Sequence, residues 1–430
     1  MSIHPPQMAH AHPLPASQFS LNDKRDGAHR AFSQFEPIMK NKIPMIVILL
    51  TCVPAVVQAE DTPITSQTPW KNKMQELNLS LNALLTDVCS DQRYYDPKNS
   101  SRIESEIKSI STFSHDLNKK SLGTHQADPT LQLFSGFLAN ETSEAYRSFR
   151  DGQLTYAREI LRAIPGDCLA CHSRNALGPD FSALPSEPNA PLSFIETAEF
   201  YAATRQFDRA VGSFRNILQA RAQEESLDST HLEKSVHDAL LIAVRIKKDP
   251  DLAKAIIGDL LSNVNTPHYL KDDAIHWDQS LKNWKSEGVR KVNTPEGMYA
   301  EAIRLIAIAH AHQTYAMDHS QDIVYLRASS VLYDFLQADP NGKRVSDALL
   351  LLGMCYEVLS PHRMEDLHNV YYEACIQRSP HTEIARTCYH RYEQSMYLGY
   401  SGSSGTHLPE DIKKKMLELW SLASENKGKL

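Results

Sequence analysis

The sequence has no block of basic residues, and its formal net charge is −7, so nothing in it points to nucleic acid or to an anionic membrane surface. Its one sustained apolar run, Ile43 to Val57, is too short to serve as a comfortable transmembrane helix. No catalytic triad, carboxylate pair or nucleotide motif stands out, which leaves an enzyme reading without support and the expectation that this chain is not an enzyme. The glycine-serine stretch "GYSGSSGTHLPEDI" lacks the lysine that phosphate-cradling loops use, so it is expected to be a connector, with Pro409 suited to the first turn of a helix. Cysteine is scarce, seven in 430 residues, and there is no second C-x-x-C to complete a structural zinc site. That scarcity makes "GDCLACHSRN", Gly166 to Asn175, the informative stretch.

Length and composition allow two or three domains of ordinary globular character, with 42% hydrophobic and 23% charged residues. Residues 1–38, rich in Pro, His and Ala and without periodicity, are expected to be a non-native or disordered extension. Residues 39–59 have the plan of a secretory signal peptide: Lys40 and Lys42, the apolar run, then Val57-Gln58-Ala59 as a small-residue cleavage site. The expectation is translation from Met39, a mature chain beginning near Glu60 with no membrane span, and a periplasmic location. Cys52 would leave with the leader, and the remaining thiols would meet an oxidising compartment.

The mature chain reads as all-α. Residues 60–174 carry four amphipathic helices. In the first, Met74, Leu77, Leu81, Leu84 and Leu85 share a face, and in the second Ile103, Ile107, Ile110, Phe113 and Leu117 do so. A third is expected over 129–149 and a fourth over 153–171, interrupted at Pro165-Gly166 so that the cysteine motif begins a new turn. Four such helices suggest an up-down bundle. Residues 175–193 hold four prolines and read as a linker.

From 194 to 430 the pattern is one of helical hairpins. "ETAEFYAATRQFDRAVGSFRNIL", with Tyr201, Phe207, Ala210 and Phe214, and "LLLGMCYEVL…YYEACIQRSP", with Leu352, Gly353, Tyr356, Tyr372 and Pro380, resemble tetratricopeptide repeats. The resemblance implies a solenoid of stacked hairpins, each burying a face its neighbour supplies, and a surface for docking another protein. Trp277 and Trp284, seven apart, are expected on one core face, while His310 and His312, two apart, face different directions.

Cys168, Cys171 and His172 form C-x-x-C-H. Two thiols one helical turn apart can form thioethers to two vinyl groups, and the adjacent imidazole can ligate iron from the same side: these are the needs of a covalently attached haem. A thioredoxin-like pair would want a βαβ setting, which the helical surroundings do not offer. The residue frequencies give about 0.005 chance occurrences of the motif in such a chain.

A four-helix bundle whose last helix carries C-x-x-C-H near its end resembles the cytochrome c′ family over about residues 68 to 175. The resemblance implies one covalent haem c held between the helices, with Cys168 and Cys171 as thioether attachments and His172 as the axial iron ligand. In an up-down bundle the start of the first helix and the end of the second share the pole of the motif, so Met74 and His115 are the candidates for the distal iron position. The role expected is one-electron transfer, with a redox partner or other protein docked on the helical repeats. An open iron site would instead suit a haem-based gas sensor.

Four cysteines remain, and four allow three pairings. Cys375 and Cys388 flank the turn at Ser379-Pro380-His381 at similar distances, so an antiparallel hairpin would bring them to one height and a disulfide between them is expected. Cys355 on the preceding helix is the rival partner, Cys89 is expected as a buried thiol, and four unpaired buried thiols remain the alternative.

Overall fold

Leu77, Leu81, Leu84, Leu85 and Val88 are buried along one helix and Ile103, Ile107, Ile110 and Leu117 along the next, the 3.6-residue stripes that the sequence carries. A computed structural model of the protein describes residues 68–124, 129–174, 192–219, 229–288, 292–315, 318–359 and 366–424. The N-terminal extension, the expected leader, the first mature residues and all of the expected linker except Leu192 and Ser193 lie outside the described residues.

The protein is all-α. Sixteen α-helices and one two-stranded pair occur among the described residues. The first helices are α1 (Thr68–Val88), a single turn α2 (Asp91–Tyr94), α3 (Ser100–Thr124), α4 (Pro129–Arg150) and α5 (Leu154–His172). Helix α1 packs on α3, α3 on α4, α4 on α5, and α5 returns to α1, so the four long helices share one apolar core. The Tyr94 hydroxyl donates to the Leu154 carbonyl (2.8 Å) and Arg158 Nε donates to the Val88 carbonyl (2.6 Å). These bonds tie the end of α1 to the start of α5. The start of α1 and the end of α5 therefore lie at the opposite pole.

Helix α5 differs from expectation in one respect: it runs unbroken through Pro165. Proline removes one helical hydrogen bond and crowds the preceding turn, a cost of about 3 kcal/mol in an isolated helix. Here Ile160, Leu161, Ile164, Pro165, Asp167 and Leu169 are all buried, and packing on both sides offsets that cost. Cys168, Cys171 and His172 thus continue the helix rather than opening a new turn.

A second apolar core begins within the same helix, at Leu169, and continues through α6 (Phe194–Ala203), α7 (Phe207–Gln219), α8 (Ser229–Leu241), α9 (Pro250–Ser262), α10 (His268–Glu287) and α12 (Asp322–Ala338). Between the last two lies α11 (Pro295–His312). Ser193 and Glu196 form a capping box that starts α6, satisfying two otherwise orphaned backbone donors. A π-helical stretch, Ile242–Ile246, extends α8. Trp277 is fully buried, and Trp284 packs against the same core. Helix α12 is buried on nearly every side.

The chain then forms α13 (Val345–Tyr356), α14 (Leu367–Arg378), α15 (Glu383–Gly399) and α16 (Glu410–Ala423). Helix α14 also touches α4, so the last hairpins lean on the first four helices and the described residues belong to one compact unit. The glycine-serine connector makes a minimal antiparallel pair, β1 (Ser401–Gly402) with β2 (Gly405–Thr406), and Pro409 stands at the N-cap of α16.

Candidate functional site: the cysteine-histidine end of α5

Cys168 and Cys171, three residues apart, lie on one side of α5. Both are free thiols and both are partly buried. Cys168 packs against the first core together with Met74, Phe113 and Leu192, whereas its neighbour Leu169 belongs to the second. The motif therefore stands where the two cores meet.

His172 is the last residue of α5. Its Nδ1 is 2.5 Å from the backbone oxygen of Ala203, the last residue of α6. A carbonyl oxygen only accepts, so Nδ1 carries the proton and Nε2 keeps its lone pair. Burial, with the Arg205 guanidinium adding to it, pushes the imidazole down to about 4, against a smaller opposing effect of the Ala203 bond. The ring is a neutral donor at neutral pH. Burial also pushes the Cys171 thiol up to about 11, against the opposing Arg205 charge. Burial raises Cys168 further, helped by Asp167 and Cys171. Both sulfurs are protonated.

Two arginines pack at this end of the helix. Arg205 Nη1 donates to the His172 carbonyl (3.3 Å), satisfying one of the acceptors that a helix end leaves open. Arg174 is buried with its guanidinium over the ring of Tyr333 at 4.5 Å. Ser173, wholly buried between His172 and Arg174 in sequence, has a hydroxyl with no hydrogen-bond partner among the described residues.

These features suit haem. The two thiols are spaced for two vinyl groups, and the imidazole is neutral, with Nε2 uncommitted by the Ala203 bond. Among the described residues no group of three or more His, Cys, Asp or Glu side chains is arranged to hold a metal ion. A haem iron needs no such group, because the porphyrin supplies its four in-plane ligands.

The remaining candidates fall at different places. Met74 is partly buried in the same apolar cluster as Cys168. His115 is exposed, and its Nε2 lies 2.8 Å from the Ser143 hydroxyl on α4. Cys375 on α14 and Cys388 on α15 are joined in a disulfide with Cα atoms 6.4 Å apart. Cys89 and Cys355 are buried free thiols. His310 and His312 are exposed on α11.

Two parts of the surroundings carry no sequence signal. Ala203 acts through its backbone, which any residue would provide. The hydroxyls of Tyr333, Tyr356 and Tyr371 form a buried hydrogen-bonded trio, 2.6 and 2.8 Å from Tyr333 to its neighbours, with Arg245 of the π-helical stretch over two of the rings. The sequence suggests Tyr371 only as packing. Comparison with known family models, with characterised proteins and with solved structures yields no match. No helix of the described residues is long and apolar enough to cross a membrane.

Proposed function

We propose that this chain is an exported, periplasmic c-type cytochrome that carries one covalent haem c and transfers single electrons. The observation that carries the reading is the end of α5: free thiols at Cys168 and Cys171, and a His172 ring whose Nδ1 proton is committed to Ala203 while Nε2 is left to donate. Cys168 and Cys171 would be the two thioether attachments, each thiol giving up its hydrogen to the vinyl group it joins, so that no oxidant would be needed. Bound there, the haem supplies a one-electron couple. His172 would be the residue that holds the iron, Leu169 and the surrounding apolar residues would keep water from it, and Arg205 holds the helix end in place. The ring of four helices that ends in this motif supports the likeness to cytochromes c′. The hairpins after residue 194 support the likeness to tetratricopeptide repeats and a role in docking a redox partner, with no catalytic function of their own.

A second reading, a haem-based gas sensor with an open iron position, is favoured by one observation. His115 is exposed and its Nε2 is engaged by the Ser143 hydroxyl, which takes one of the two distal candidates away from the iron position.

The test is the intact mass of the mature chain, expressed with cytochrome c maturation machinery. The expected mass exceeds that of the polypeptide by one haem, and the Cys168→Ala, Cys171→Ala double variant loses the increment. Haem released into acidified butanone from the denatured parent overturns the proposal.

A further inference from the structure

Helix α6 ends in a turn that usually calls for glycine. The Gln206 amide donates to the Tyr201 carbonyl (2.8 Å) and the Arg205 amide to the Ala202 carbonyl (3.0 Å), the two bonds of a Schellman motif. Arg205 occupies the left-handed position of that motif, with φ 58°. Side chains other than glycine and asparagine rarely tolerate this backbone, because Cβ crowds the following carbonyl. A strained arginine in place of glycine is a reason to ask what the side chain does.

The side chain reaches the motif. Arg205 is 8% exposed, its guanidinium lies over the Phe207 ring at 5.2 Å, and Nη1 donates to the His172 backbone oxygen. The turn that Arg205 shapes also aims the Ala203 carbonyl at His172 Nδ1. Residues 203 and 205 thus hold His172 by both of its ends, the ring through Ala203 and the main chain through Arg205. Both belong to the hairpin that follows the expected linker, 31 and 33 residues beyond His172.

We infer that Arg205 is a positioning and potential-setting residue of the haem site, so that the α6–α7 hairpin is a wall of that site and not only a docking module. The inference rests on the haem reading above. A fixed positive charge in a buried setting favours the reduced, less positive iron and so raises the midpoint potential. The Ala203 carbonyl sets the donor strength of the imidazole. A partner that displaced the α6–α7 turn would change both together, which gives docking on the hairpins a route to the iron.

The experiment compares haem-loaded parent, Arg205→Gly, Arg205→Asn and Arg205→Lys by potentiometric titration, with the denaturation midpoint of each measured alongside. Glycine and asparagine both accept the left-handed turn, so they remove the charge without adding strain. They are expected to shift the reduction equilibrium at least tenfold toward the oxidised form, about 59 mV lower for one electron. Arg205→Lys retains the charge and is expected to keep most of the parent potential. Unchanged potentials in the glycine and asparagine variants overturn the inference. So does an equal fall in potential and stability in all three variants, lysine included, which would assign Arg205 to packing alone. A parent chain that carries no covalent haem overturns the underlying reading instead, and the mass measurement distinguishes that outcome.

Discussion

The ring of Tyr372 on α14 occupies the space into which a side chain on residue 353 of α13 would project. A Cβ added to Gly353 would overlap the ring at Cε1 and Cδ1. Both residues are fully buried, and the Tyr372 hydroxyl is held by Glu357 at 2.5 Å, so the ring cannot swing away cheaply. Gly353→Ala is expected to destabilise the protein by about 1–3 kcal/mol, overpacking outweighing the helix propensity gained. Urea denaturation checks it, and an alanine variant as stable as the parent would show that the two helices separate freely.

His172→Ala removes the proposed axial donor but neither thiol. The variant is expected to retain the haem mass increment while its Soret band shifts and broadens. An unaltered spectrum would remove His172 from the iron.

On the haem reading, Met74 and His115 are the two candidates for the distal position. Ferrous protein that binds carbon monoxide quickly, with the same rate in Met74→Ala and His115→Ala, is the outcome expected of an open site. A rate that rises in Met74→Ala alone makes the Met74 sulfur the sixth ligand.

The Cys375–Cys388 disulfide closes a short loop, the two residues being 13 apart in sequence. A loop of this size contributes about 3 kcal/mol on the chain-entropy model. The Cys375→Ser, Cys388→Ser double variant should lose stability of that order, and non-reducing peptide mapping of the parent should recover the two peptides joined. Separate alkylated peptides would contradict the pairing.

His319 predicts a dependence on pH. Its Nδ1 lies 3.1 Å from Asp322 Oδ2, and that hydrogen bond raises the imidazole to about 9. The facing groups are Asp273 of α10, Glu233 and His237 of α8, and Asp322 of its own segment. A histidine that binds its proton more tightly when folded contributes fully below its ordinary value of 6.5 and loses that contribution as pH rises through about 9. Asp273, raised to about 6 by burial and Asp322, costs stability as pH rises from 3.8 to about 6. Denaturation midpoints should therefore fall across the upper window, and His319→Gln should flatten it; in the lower window the loss from Asp273 is opposed by the gain from His172, whose imidazole is held down to about 4. An upper slope unaffected by His319→Gln would mean that another group titrates there.

Periodic residues made much of this architecture legible. The stripes Leu77–Leu85 and Ile103–Leu117 mark their helices because 3.6-residue spacing is what an apolar face requires. The thiols and imidazole of α5 are legible as a group because C-x-x-C-H is a local spacing, readable before any tertiary contact forms. Pro165 misleads, since its local cost is visible in sequence and the burial that offsets it is not. Ala203 and Arg205 are invisible for opposite reasons. The first works through a backbone oxygen, and the second stands where glycine would have signalled the turn. The Tyr333, Tyr356 and Tyr371 hydroxyls meet only after α12, α13 and α14 have packed.

The contact between His172 and Ala203 also imposes an order in time. A chain made from its N-terminus presents the two thiols before the residues that close against them, since Ala203 follows His172 by 31 positions. An attachment apparatus would have its best access in that interval, while α5 has an open side. Slowing the arrival of residues 194–219 should lengthen the interval, and on the proposed haem reading hastening their closure should leave more chains without the group.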